Sequence, residues 1–279
     1  MYTPNLFRGK KILITGGGTG LGRAMGAKLL SLGADIAICG RRKSVCEETA
    51  AELMAAHGGK VAAYGVDIRD AAAVDAMVED IFAQGPLTGL INNAAGNFIC
   101  PTEQLSSRGF DAIANIVMHG TFYVTQAVGK RWVAQGWKPG DAMRSVMSII
   151  VTWVETGGPY VVPSAMSKSA IDAMTKSLAI EWARFGIRLV ALAAGQFDTD
   201  TLRTKYPKEV VEAMPASVPL GRLGTEEEWA WLVAYLASPA GDFYSGTVIT
   251  MDGARDDWFG RWPPGGLEQP PAEERRPKR

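Results

Sequence analysis

Ser164 and Lys168, four residues apart in "PSAMSK", place a hydroxyl and an ammonium group one turn apart on a single helix face. Such a pair can hydrogen-bond a carbonyl oxygen and supply positive potential to charge growing beside it. A different chemistry is written near the start of the chain. In "TGGGTGLG", residues 15 to 22, Gly16, Gly20 and Gly22 have the spacing G-x-x-x-G-x-G, directly after "KILI" and before "RAMGAKLLSLGA". Glycine is needed where a turn takes positive φ or where the backbone approaches a pyrophosphate, and the helix start then offers unpaired N–H groups to the anion. Thr19 and Leu21 belong to the same expected dinucleotide-binding turn.

The second apolar run ends in "CGRR", residues 39 to 42. An acidic residue commonly receives ribose hydroxyls at this place in an NAD site, whereas Arg41 and Arg42 offer charge-assisted donors to a 2′-phosphate. The charge pattern therefore favours NADP(H) over NAD(H). Asp67 and Ile68, after the third run, are expected around the adenine and its amino edge.

These groups need elements to hold them. Residues 11 to 90 alternate short apolar runs with helix-length segments near 21 to 32, 43 to 57 and 71 to 84. Repeated units of this size predict a parallel sheet covered on both faces, because each crossover brings its own amphipathic helix. The pattern continues with helices near 106 to 118, 120 to 135 and 164 to 184, strands near 144 to 151 and at "IRLVALAAG", and a last strand at "GTVITMDG". Thr225 and Glu228 match a capping box before "WAWLVAYLA", where Trp229, Leu232, Val233 and Leu236 share a side that marks core or a subunit contact. The predicted architecture is α/β: one Rossmann domain over residues 1 to 254, a doubly wound parallel sheet with helices on both faces. Residues 255 to 279, rich in proline and glycine, read as a C-terminal arm or partly disordered tail, with Trp258, Phe259 and Trp262 against the body or a neighbouring subunit.

Composition narrows the partners. Lys plus Arg and Asp plus Glu are both 29, so no global positive field favours nucleic acid. Three scattered cysteines and two histidines form neither a disulfide framework nor a metal-ligand spacing. No cleavable leader and no run near 18 apolar residues is present, from which a cytoplasmic protein with no membrane partner is expected.

Four features, "TGGGTGLG", "NNAAG" at 92 to 96, Lys168 after "PSAMS" and "DG" at 252 to 253, resemble the short-chain dehydrogenase/reductase family. "NNAAGNFICPTEQLS", "ETGGPYVVPSAMSKSAIDAMTKSLAIEW" and "PLGRLGTEEEWAWLVAYLASP" are similar to its NADPH-dependent 2,4-dienoyl-CoA reductase branch, over roughly residues 8 to 253. The resemblance implies that Asn93, Ala94 and Gly96 bind cofactor, that Lys168 holds the nicotinamide ribose, and that Gly195, Phe197 and Thr199 cover the nicotinamide and pyrophosphate. It also implies that Asn97 and Ser164 orient a polarised carbonyl and that Phe98 packs on an acyl portion.

Two familiar places for a catalytic tyrosine lack one. The place four before the lysine is Ser164, and the displaced place used by the branch, fifteen before it, is Trp153. An indole N–H is too weak an acid to take over, so Trp153 is expected to shape an apolar pocket, with Tyr160 beside it. His119 is offset from the family asparagine and reads as structural. Ala194 also replaces the family's proline before Gly195, and Val190 its asparagine. The expected activity is NADPH-dependent reduction of an unsaturated acyl-CoA or similar conjugated carbonyl compound, completed by a bound water, in a homotetramer. A ketoreductase or alcohol dehydrogenase using Tyr160 or water, and a cofactor-binding scaffold without turnover, are the alternatives.

Overall fold

The computed structural model describes residues 2–205 and 207–256. The first half alternates β1 (Lys11–Thr15), α1 (Gly20–Ser31), β2 (Asp35–Gly40), α2 (Lys43–His57), β3 (Val61–Gly65), α3 (Ala71–Ala83) and β4 (Gly89–Asn92). It continues through α4 (Ser107–Ala114), α5 (Thr121–Gln135), β5 (Arg144–Val151), the four-residue α6 (Trp153–Thr156), α7 (Val162–Trp182) and β6 (Ile187–Ala194). After β7 (Phe197–Asp198) come α8 (Asp200–Lys205), α9 (Lys208–Ala213), β8 (Gly224–Thr225), α10 (Glu226–Ala237) and β9 (Thr247–Met251).

Among the described residues, seven strands form one parallel sheet in the order β3-β2-β1-β4-β5-β6-β9. Ile12 of β1 lies opposite Ile36 on one side and Gly89 on the other. The strands are apolar almost throughout because both faces are covered, and successive side chains go to opposite layers. Ile12 and Ile14 pack with Met25, Leu29, Leu53, Trp229 and Val233 under α1, α2 and α10, whereas Leu13 packs with Val74, Val78, Val124, Val128 and Trp132 under α3 and α5. The expected single doubly wound domain is thus what the chain forms. The chain order reverses between β1 and β4, so the connections leaving their carboxyl ends diverge and open a crevice there.

Local chemistry accounts for the element ends. Asp70 caps α3 by accepting from Ala72 and Ala73 N–H, and Thr225 and Glu228 form the expected reciprocal capping box on α10. Trp229, Val233 and Leu236 are fully buried, so this face of α10 is core. Two expected helices near 106 to 118 and 120 to 135 are instead joined by a π-turn, Asn115–Gly120, that runs on into α5 without a break. Gly120, at the end of this turn, leaves room for Ile68, whose Cγ1 would lie 2.6 Å from a Cβ there. The expected arm aromatics at 258, 259 and 262 lie outside the described residues. No helix among the described residues is long and apolar enough to cross a membrane, and no group of His, Cys, Asp or Glu among them is arranged to hold a metal.

Candidate cofactor and substrate cleft

The carboxyl ends of β1, β2, β3, β4, β5 and β6 line a cleft of about 850 Å³. At its centre is the glycine turn. Gly16 and Gly20 have φ of 65° and 52°, the left-handed region that favours glycine. Gly22 answers a different need: a Cβ there would stand 2.7 Å from the Asn93 amide nitrogen. The hydroxyl of Thr15 accepts from Asn93 and Ala94 N–H, both at 3.0 Å, and the Asn93 side chain donates to the carbonyls of Thr15 (3.0 Å) and Gly16 (3.2 Å). Thr49 donates to the Gly18 carbonyl at 2.8 Å. The turn is therefore clamped from both sides, with the Gly16 N–H donating to the Cys39 carbonyl at 2.8 Å, and the turn and the start of α1 line the cleft. Thr19 occupies the N-cap position of α1 without using its side chain as a cap, and it lines the cleft with Leu21.

One end of the cleft is cationic. Arg41 and Arg42 are exposed, line the cleft, and form no ion pair among the described residues. Asp67 reaches the same rim, but its carboxylate is held by Arg69, with Nη2 2.6 Å from Oδ2; this hydrogen bonding lowers its pKa. Its side chain is committed to that partner, while Ile68 is buried as an apolar wall. Cys39 and Cys46 line the wall beneath, and burial pushes the Cys39 thiol up to about 12, which makes it an inert thiol.

The opposite end carries the expected polar groups. Pro163 is the second residue of α7, whose N-cap residue is Val161, so Ser164 is a buried first-turn residue and not the cap. One turn on, Lys168 is 5% exposed and donates from Nζ to the Ile149 carbonyl of β5. Burial lowers its pKa from 10.5 to about 8. Asn97 joins the lining from the loop after β4, where its side-chain oxygen is buried with no partner among the described residues. Ala94, Gly96, Trp153, Gly195, Phe197 and Thr199 line the same space. Phe197 meets Trp229 edge-on at 5.0 Å, and Thr199 accepts from Leu202 N–H at 3.1 Å to start α8.

Phe98 and Tyr160 are the expected pocket residues that stand outside this lining, 40% and 57% exposed. Tyr160 has φ of 65°, and its carbonyl accepts from Cys100 N–H at 2.9 Å, tying the two rim loops together. His119 is exposed and edge-on to Tyr123, away from the cleft. Sequence reasoning passed over Thr15, Ile116, Thr152 and Arg255. A threonine ending a strand before a glycine turn is the signal that points to Thr15; the others reach the cleft only through the packing of distant segments.

Residues 16–254 match the family model described as Enoyl-(Acyl carrier protein) reductase. The chain belongs to the short-chain dehydrogenase/reductase superfamily. It is 39% identical to the Bacillus subtilis protein named probable 2,4-dienoyl-CoA reductase [(2E)-enoyl-CoA-producing], over 91% of this chain and 98% of that protein. A crystal structure of a short chain dehydrogenase from Bacillus anthracis is 40% identical, with a TM-score of 0.78 over 88% of this chain and 96% of that one. The Pseudomonas aeruginosa RhlG/NADP active-site complex is 26% identical, with a TM-score of 0.83 over 91% and 100% of the two chains. Superfamily membership makes this chain an oxidoreductase, and the resemblance to the 2,4-dienoyl-CoA reductase branch holds along nearly the whole domain. Its cleft fits a phosphorylated dinucleotide: a glycine-rich turn for the pyrophosphate, two guanidinium groups without an ion-pair partner among the described residues at the adenosine end, and an unsatisfied amide oxygen at the reacting end.

Proposed function

We propose that the protein is an NADP(H)-dependent reductase of a conjugated carbonyl compound, an unsaturated acyl-CoA of the 2,4-dienoyl-CoA kind. The observation that carries this reading is the convergence of Asn97, Ser164 and Lys168 on the cleft that holds the glycine turn, while no phenol among the described residues lines it. Relatives named for dienoyl-CoA reduction support the substrate class.

NADPH, when bound, supplies the hydride. Arg41 and Arg42 pair with its 2′-phosphate, the Gly16–Gly22 turn receives the pyrophosphate, and Lys168 holds the nicotinamide ribose. Asn97 and Ser164 donate to the conjugated carbonyl oxygen, and the buried Lys168 ammonium adds positive potential where negative charge grows. Trp153 closes the space with an apolar wall. A conjugated alkene suits this equipment better than a simple ketone. Its electrons come to rest in an enolate that persists until a proton arrives, whereas an alkoxide forming from a ketone needs a positioned acid at once. Tyr160, exposed on the rim, is badly placed to provide one.

Single-turnover NADPH oxidation should be fast with a 2,4-dienoyl-CoA and at least about a hundredfold slower with a saturated 3-ketoacyl-CoA. Faster reduction of the saturated ketone would replace this reading by a ketoreductase, and tight NADPH binding without oxidation by either would leave a cofactor-binding scaffold. We further propose a homotetramer, supported by apolar side chains left in water on one chain, including Ile180 of α7 at 83% exposure and Phe122 of α5 at 44%.

A further inference from the structure

Reduction of a conjugated system consumes a proton as well as a hydride, and the cleft contains few groups able to give one. Among its described lining residues, Cys39, Arg41, Arg42 and Asp67 stand at the ends of β2 and β3 and Cys46 in the first turn of α2, all on the adenosine side. Arg255 and Lys168 are the remaining titratable groups. Arg255 donates to Asp256 at 2.6 Å, and a guanidinium keeps its proton near neutrality. The Ser164 and Thr152 hydroxyls and the Trp153 indole are much weaker acids than an ammonium group.

We infer that Lys168 is itself the catalytic acid of this reductase, donating an Nζ proton to the reduced substrate in place of the absent phenol. This inference rests on the conjugated-carbonyl reductase reading above. The geometry separates holding the side chain from giving up a proton. One of the three Nζ protons is used on the Ile149 carbonyl, and the neutral amine left after donation keeps a proton for that same bond. The side chain is 5% exposed, and the burial that lowers its affinity to about 8 sets it where a general acid works best near neutrality.

Neighbouring charges do not oppose this. The elements packed on α7 carry Arg108 and Asp111 on α4, His119 in the π-turn, Arg144 on β5, Glu155 on α6, Arg184 in the turn after α7 and Arg188 on β6. α7 itself carries Asp172, Lys176 and Glu181. No carboxylate among the described residues forms an ion pair with Lys168, and burial is the cause of its lowered affinity. In the step, the substrate gains two electrons as hydride at its electrophilic carbon, and its conjugated π pair moves into a dienolate. A carbon of the dienolate then takes the proton as the Nζ–H bond breaks, and solvent water reprotonates the amine.

Two measurements test this. In the protein without cofactor, the ¹³Cε resonance of Lys168, assigned by its loss in Lys168→Arg, should titrate near 8; titration at the ordinary lysine value of about 10.4 overturns the proposal. With saturating NADPH and a dienoyl-CoA, the single-turnover rate should fall about tenfold per pH unit above that value. Lys168→Arg, which keeps the charge but withholds the proton, should slow this step by about a hundredfold and abolish the alkaline limb. Trp153→Tyr, folded by circular dichroism, should restore a phenolic route and move that limb upward, and it serves as the decisive variant if Lys168→Arg does not fold. A wild-type rate flat through pH 9, or an unmoved limb in Trp153→Tyr, overturns the lysine assignment alone. Failure of every conjugated substrate to oxidise bound NADPH overturns the reductase reading and this inference together.

Discussion

Lys168 shows how a single residue can be costly to the fold and useful to the site. An ammonium group that is 5% exposed and has no ion-pair partner among the described residues is taken from water with one hydrogen bond, to the Ile149 carbonyl, as its compensation. The unfolded chain binds the proton more tightly than the folded one, so stability should rise as pH increases from about 8 to 10.5. Below that window the cost is roughly 3 kcal/mol. Lys168→Met, which keeps the length and removes the charge, should therefore raise Tm at pH 7 and flatten this pH dependence while abolishing turnover, read by calorimetry and NADPH oxidation. At the other end, Arg41→Ala with Arg42→Ala should weaken NADPH binding by about 2 kcal/mol or more and leave NADH little changed. Equal weakening in a binding titration would remove the arginines from the phosphate. The types of these residues were legible in the sequence. The fate of Asp67 was not, since its partner Arg69 is two residues away and only backbone geometry turns the two side chains together.

At the scale of elements, periodicity carried most of the reading because each strand and helix serves one layer of the sheet. The β-strands near 144 to 151 and the capping box on α10 stand where expected. The π-turn was hidden because its apolar positions continue the helical pattern of the flanking segments, and the approach of Ile68 to Gly120 arises only once the fold brings the two together. The small β7 and β8 pair and the helices α8 and α9 were equally silent, being too short for a period to show. The capping box gives an element-level prediction. Arg222 and the Thr225 N–H hold the Glu228 carboxylate at a pKa of about 2. Its contribution to α10 should be complete above about pH 4.5 and fade as pH falls toward 2. Thr225→Ala should cost about 1 kcal/mol in urea unfolding at pH 7, with Glu228→Gln losing the acid-dependent part.

For the whole molecule, the homotetramer predicts a sedimentation coefficient that stays at the assembled value down to micromolar concentration, and Ile180→Asp should shift it toward smaller species if α7 forms a subunit contact. A wild-type monomer under those conditions would defeat the proposal. The fold itself concerns a different level of organisation. The two large hydrophobic layers receive no side chain from α6, which carries Trp153; only its partly buried Val154 packs, against the smaller cluster of Ile113, Val117, Ile150 and Ile171. Exchange of Trp153 for tyrosine should therefore leave the two large layers beneath it in place, read as an unchanged far-ultraviolet circular dichroism spectrum. In evolutionary terms, substitutions at position 153 should be selected through their effect on turnover more than through their effect on stability.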